Sequence, residues 1–160
     1  MRSSLLLVAL CLACEPAADV EPVVCIHPNP AEVDVGTGDK VTGFKPLAEG
    51  SDIRLSLGPQ GLHMIVVSVV LNGYEVPTLG GDHVAPKVVV RHEGQVVAGS
   101  IDNVNPSVLG EDKAQFLGIR TQFDFDDVSG LVGKLADVSV SVRDGCGRDL
   151  HATRSFRLVK

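Results

Sequence analysis

Over most of the chain, apolar and polar positions alternate with a period of two, the spacing of half-buried strands rather than the 3.6 of a helix. Glu32-Val33-Asp34-Val35 alternates and stops at Gly36-Thr37-Gly38, which reads as a short edge strand. Ile53, Leu55 and Leu57 alternate with Asp52, Arg54 and Ser56, so one face of that strand should be buried. Gly58-Pro59-Gln60-Gly61 places Pro and Gly at the second and fourth positions of a type I turn. Residues 62–71 are then almost continuously apolar, as in a central strand covered on both sides, and the two runs should form a hairpin.

The pattern repeats downstream. Val88-Val89-Val90-Arg91 and Gln95-Val96-Val97-Ala98 flank His92-Glu93-Gly94, a second hairpin with glycine at its turn. Residues 103–112, containing Asn105-Pro106, read as a polar connection. In residues 116–125, Thr121, Phe123 and Phe125 share one face while Gln122, Asp124 and Asp126 share the other. Val138, Val140 and Val142 alternate with Ser139, Ser141 and Arg143; Asp144-Gly145-Cys146-Gly147 turns the chain, and residues 150–159 return. A single helical turn falls near residues 127–131. Ile53, Leu55, Val67, Val69, Val140, Val142, Phe123 and Phe125 are the expected core. Seven to nine short strands at about this spacing predict an all-β, Greek-key β-sandwich.

The closing pattern Val-x-Val-x-Val-Arg-Asp-x-x-Gly over residues 138–147 resembles the final hairpin of bacterial immunoglobulin-like domains. That resemblance implies an immunoglobulin-like sandwich and carries no catalytic residue across. The chain lacks tryptophan altogether, so the tryptophan of an antibody-type domain has no counterpart.

The amino terminus has a different character. Arg2 precedes nine consecutive apolar residues, 5–13. As a helix these reach about 14 Å, too short for a hydrocarbon core of about 30 Å, so the run reads as a secretory signal. Cys11-Leu12-Ala13-Cys14 resembles a bacterial lipobox, although the family usually has Leu where Cys11 stands. The resemblance implies cleavage before Cys14 and a lipid on its thiol. Glu15-Pro16-Ala17-Ala18-Asp19-Val20-Glu21-Pro22 then forms an acidic tether, leaving residues 23–160 as the folded domain. With Phe44-x-Pro46-Leu47 and Gly58-Pro59-Gln60-Gly61-x-His63, the whole is similar to lipoproteins of myxobacteria, which implies an envelope location. Once Cys11 is removed and Cys14 acylated, Cys25 and Cys146 remain. In a secreted chain two leftover cysteines are most simply a disulfide, with free thiols or a thiolate metal ligand as alternatives.

Composition sharpens the picture. Valine outnumbers alanine 26 to 11, and 17 glycines and 9 prolines favour strands and turns. A net charge of −6, with no basic stripe, argues against nucleic acid as a partner. No Walker loop, dinucleotide fingerprint, Gly-x-Ser-x-Gly elbow or His-Glu-x-x-His appears, so no catalytic residue is assigned and no cofactor is expected. His27, His63, His83, His92 and His151 lie mostly beside turns or strand ends, as solvated imidazoles do. The competing reading is metal binding. Asp102-Asn103-Val104-Asn105 and Asp124-Phe125-Asp126-Asp127 offer hard oxygen donors suited to calcium, and Cys146-x4-His151 faintly resembles the Cys–His loop of blue-copper proteins. Neither acidic spacing matches the Asp-x-Asp-x-Asp-Gly loop, and no methionine follows Met64 to complete a copper set, so no metal ligand is assigned. The sequence therefore predicts a non-catalytic binding or structural module. Its lipid would hold it to a membrane, and its partner would be an envelope protein or glycan.

Overall fold

The computed structural model describes residues 30–58, 60–74, 85–101, 104–110 and 112–160. Cys14, Cys25, His27 and His83 lie outside them, as do the signal and tether expected at the amino terminus. The described chain is all-β, with 61% of it in strands and a single 3-10 turn, Ser129–Leu131, where a helical turn was expected.

Eleven strands build one sheet: β1 (Glu32–Thr37), β2 (Lys45–Pro46), β3 (Ser51–Arg54), β4 (Ser56–Leu57), β5 (His63–Asn72), β6 (Lys87–His92), β7 (Gln95–Ser100), β8 (Ser107–Gly110), β9 (Lys113–Phe123), β10 (Leu135–Arg143) and β11 (Asp149–Val159). Their order is β2-β1-β5-β9-β7-β6-β10-β11-β3, with β4 on β5 and β8 on β9. Every pairing is antiparallel except β11 with β3. The sheet curls, so that β1 approaches β11 from the far end of the order. The segment between β2 and β3 bridges the two: Leu47 N–H donates to Val35 O at 3.0 Å, and Gly50 N–H to Ser155 O at 2.9 Å. The curl collects one core, in which Ile65, Val67, Val69, Val88, Val90, Phe116, Phe123, Val138, Val140, Phe156 and Leu158 are buried.

Two hairpins form as the sequence predicts. β6 and β7 join through Glu93 (φ 50°) and Gly94 (φ 80°), two left-handed residues that match the strand twist as a type I′ turn does. β10 and β11 pair without a break from Leu135↔Arg157 to Arg143↔Asp149.

Elsewhere the structure corrects the alternation. The run containing Ile53, Leu55 and Leu57 is not one strand. It leaves β11 after Arg54 and pairs with β5 only at Ser56 and Leu57. With that change of neighbour the face is lost, and Leu57 is 64% exposed while Ile53 and Leu55 are buried. Phe123 is buried, but β9 ends there. Phe125 lies in the following bend, 37% exposed, its ring edge-on to Phe123 at 6.1 Å. The polar connection contains β8, a four-residue strand exposed throughout that folds back on β9. β1 is not a bare edge, because β2 covers Gly36 and Thr37.

A bulge breaks the period inside β9. Val67 faces Ile119 while Val69 faces Phe116, so Leu117 and Gly118 together oppose Ser68. Gly118 takes φ +79°, and the fully buried Ser68 ties the bulge down. Its hydroxyl accepts from Gly118 N–H at 3.0 Å and donates to Gly38 O at 2.8 Å.

Candidate functional site

The three strands β6, β10 and β11 carry the clearest division of faces. Val88, Val90, Val138, Val140, Val142, Leu150, Phe156 and Leu158 point into the core. The alternate positions point outward and fall into register across the strands. Lys87, Ser141 and His151 form one row; Val89, Ser139 and Thr153 the next; Arg91, Asp137 and Ser155 the third. Because the middle row is short, the surface dips there into an open groove of about 380 Å³ between the longer side chains. The Ser139 and Thr153 hydroxyls lie 3.2 Å apart on its floor.

The electrostatics of this groove differ from those of the chain as a whole. Among the described residues, Lys87, Arg91 and His151 have no ion-pair or side-chain hydrogen-bond partner. Asp137, the one carboxylate within the three rows, accepts from Ser155 Oγ at 2.6 Å. The next charges outward are already paired: Arg143 with Asp149 at 3.5 Å, and Arg157 with Asp52 at 4.0 Å. Asp137 faces Arg91 across the strands but forms no ion pair with it within 4 Å, so a half-buried guanidinium and an exposed ammonium keep hydrogen-bonding capacity for an anion from outside. β10 spends its backbone hydrogen bonds on β6 and β11, so the floor can recognise a ligand only through side chains.

A second polar cluster is structural. Asp144, its side chain fully buried, accepts from Cys146 N–H (3.0 Å), Arg148 N–H (2.8 Å) and Arg148 Nε (2.8 Å), and pairs with Arg148 Nη2 at 2.7 Å. The same guanidinium donates to Gly73 O at 2.6 Å, fastening the β10–β11 turn to the end of β5. Beside it Tyr74 packs edge-on against Phe116, and burial followed by the Asp144 charge pushes its phenol pKa up. Every polar atom of the Asp144 carboxylate is committed to the turn, which leaves none for a ligand.

The sequence-predicted candidates disperse. His63 Nδ1 lies 3.0 Å from Asp126 O and His92 Nδ1 2.8 Å from Leu135 O. A carbonyl only accepts, so each imidazole donates, His63 tying β5 to the bend after β9 and His92 tying the end of β6 to the start of β10. Of the described histidines, His151 alone belongs to the groove. In the acidic run, the Ser129 hydroxyl first and its backbone N–H second donate to Asp127 and hold its carboxyl below the usual range. Asp102 and Asn103 lie outside the described residues. Among the described residues no three His, Cys, Asp or Glu side chains gather as a metal would require. Cys146 is not a free thiol; Cys25, its expected partner, lies outside the described residues.

The groove itself was not legible from the sequence. Its signal, Lys87-x-Val89-x-Arg91 beside Ser139-x-Ser141 and His151-x-Thr153, appears only when the register of three strands is known. Comparison of the chain with protein families, with curated proteins and with solved structures gives no match. Among the described residues no helix is long and apolar enough to cross a membrane.

Proposed function

We propose that the protein is a lipid-anchored binding module of the cell envelope that performs no catalytic step. Its recognition surface is the outward face of β6, β10 and β11. The observation that carries this reading is the open groove between Lys87, Arg91 and His151, in which Lys87 and Arg91 form no ion pair with any described carboxylate. The anchor is the lipid on Cys14, which the resemblance of Cys11-Leu12-Ala13-Cys14 to a lipobox supports. A short tether raises the effective concentration of the groove at one surface, so even a weak site there is useful. The finer architecture belongs to the same proposal: an immunoglobulin-like, Greek-key sandwich, supported by the closing hairpin pattern and by the curl that brings β1 toward β11. So does the disulfide between Cys25 and Cys146.

The test has two parts. Fractionation of cells making Cys14→Ala should find the protein released from membranes, while the wild-type chain carries a lipid mass. Sedimentation of the detergent-solubilised full chain with isolated envelope fragments should retain wild type and release Arg91→Glu. A Cys14→Ala protein that stays membrane-bound contradicts the anchor. Equal retention of Arg91→Glu contradicts the surface.

A further inference from the structure

We infer that the groove binds an acidic polysaccharide, a chain of sugars carrying carboxylates at intervals. This rests on the reading of that face as the recognition surface and names its ligand class.

Spacing comes first. Lys87 and Arg91 are four residues apart on one strand, which sets their backbones about 13 Å apart, and the three strands together are about 10 Å across. Two cations anchored that far apart on the backbone can each meet a different charge of one ligand. They suit an extended ligand with separated charges, lying along the strands.

The floor between the cations gives the second clue. Ser139, Ser141 and Thr153 supply hydroxyls that both donate and accept, and Val89 adds an apolar patch. A sugar ring presents the matching surface, hydroxyls at its rim and C–H groups on its face. A peptide that binds by adding a strand would need a free strand edge. Here the central strand is paired on both sides, and no such edge is offered.

Charge distribution decides against a membrane. A flat anionic bilayer laid on this face would also meet Asp149 beyond the Lys87 row and Asp52 beyond the Arg91 row. A narrow polymer lying between Lys87 and Arg91 need not cover Asp149, which pairs with Arg143 beyond the Lys87 row.

The experiment is calorimetric titration of the detergent-solubilised full chain with a short oligogalacturonate, beside a neutral malto-oligosaccharide, polyglutamate and inorganic phosphate. Binding is expected for the oligogalacturonate alone, weakening as salt shortens the screening length below about 10 Å. Arg91→Gln and Lys87→Gln, with melting curves like wild type, should each raise Kd about fivefold, the size of one partly exposed ion pair. Equal binding of the neutral sugar, tighter binding of polyglutamate or phosphate, or an unchanged Kd in both variants would overturn the inference. If oligogalacturonate fails to bind while Arg91→Glu still loses envelope fragments, the ligand class is wrong and the surface stands. If both fail, the surface falls with it.

Discussion

Two buried hydroxyls in the sheet should respond to removal with opposite signs. Ser68 and Thr121 are both fully buried, on β5 and β9. Ser68 Oγ is satisfied twice, by Gly118 N–H and Gly38 O, whereas Thr121 Oγ1 has no partner among the described residues. Ser68→Ala therefore strands a donor and an acceptor around the β9 bulge. One stranded buried group costs about 1–3 kcal/mol. Two would cost more, but Gly38 and Gly118 are only half-buried, and the serine's own desolvation is recovered. The net loss expected is about 2 kcal/mol. Thr121→Val keeps the shape and removes a hydroxyl that was desolvated for no hydrogen bond, a gain of about 1 kcal/mol. Far-UV circular dichroism during urea unfolding reads both, with an unchanged denaturant slope confirming that the unfolded state is the same. In thermal melts, at about 3–5 °C per kcal/mol for a domain of this size, the two midpoints should separate by about 10 °C or more. If Ser68→Ala is neutral, the bulge is not held by that hydroxyl. Destabilisation by Thr121→Val would mean that its hydroxyl has a partner.

Phe123→Ala should cost about 3–5 kcal/mol and Phe125→Ala much less, because only the first is fully enclosed; similar losses would place both rings in the core. The Asp39 carboxylate is held below its ordinary value of 3.8, first by Thr42 N–H, then by the Thr42 hydroxyl and Val41 N–H. A depressed folded pKa means that its contribution is complete above the unfolded value and is lost as pH falls through the folded one. Hydrogen-exchange protection of Val41 and Thr42 should thus weaken below about pH 3.8 and be absent at every pH in Asp39→Ala; pH-independent protection in the wild type would contradict this. Cys146 should resist alkylation until reduced and become reactive in Cys25→Ala, with a stability loss of about 2–4 kcal/mol. The Cys146 turn is fastened to Gly73, which lies against Pro30 and Ala31, and Cys25 is only five positions before Pro30. Ready alkylation of unreduced wild type would refute it.

What the sequence disclosed was local. The alternation of Val138, Val140 and Val142 and the Asp144 turn sufficed for the last hairpin, because all its partners lie within about twenty residues. The Glu93-Gly94 turn was legible for the same reason. Leu57 was misplaced because alternation continues through a point where the chain exchanges one neighbour for another, and nothing local marks the exchange. β8 was missed because a strand exposed on both faces has no reason to alternate. The bulge at Gly118 depends on Ser68, fifty positions away, and on Gly38 beyond it. The groove needs more still, since its rows join residues from three strands.

The central claim is that the outward face of β6, β10 and β11 is where the protein meets the envelope. Heteronuclear NMR of the detergent-solubilised full chain, titrated with solubilised envelope glycan, tests it residue by residue. The account predicts shifts at Arg91 Nε–H and at the amides of Lys87, Ser139, Ser141, His151 and Thr153, with β1, β5 and β9 unmoved. Shifts confined to other strands, or none at all while the protein still sediments with envelope fragments, would contradict it.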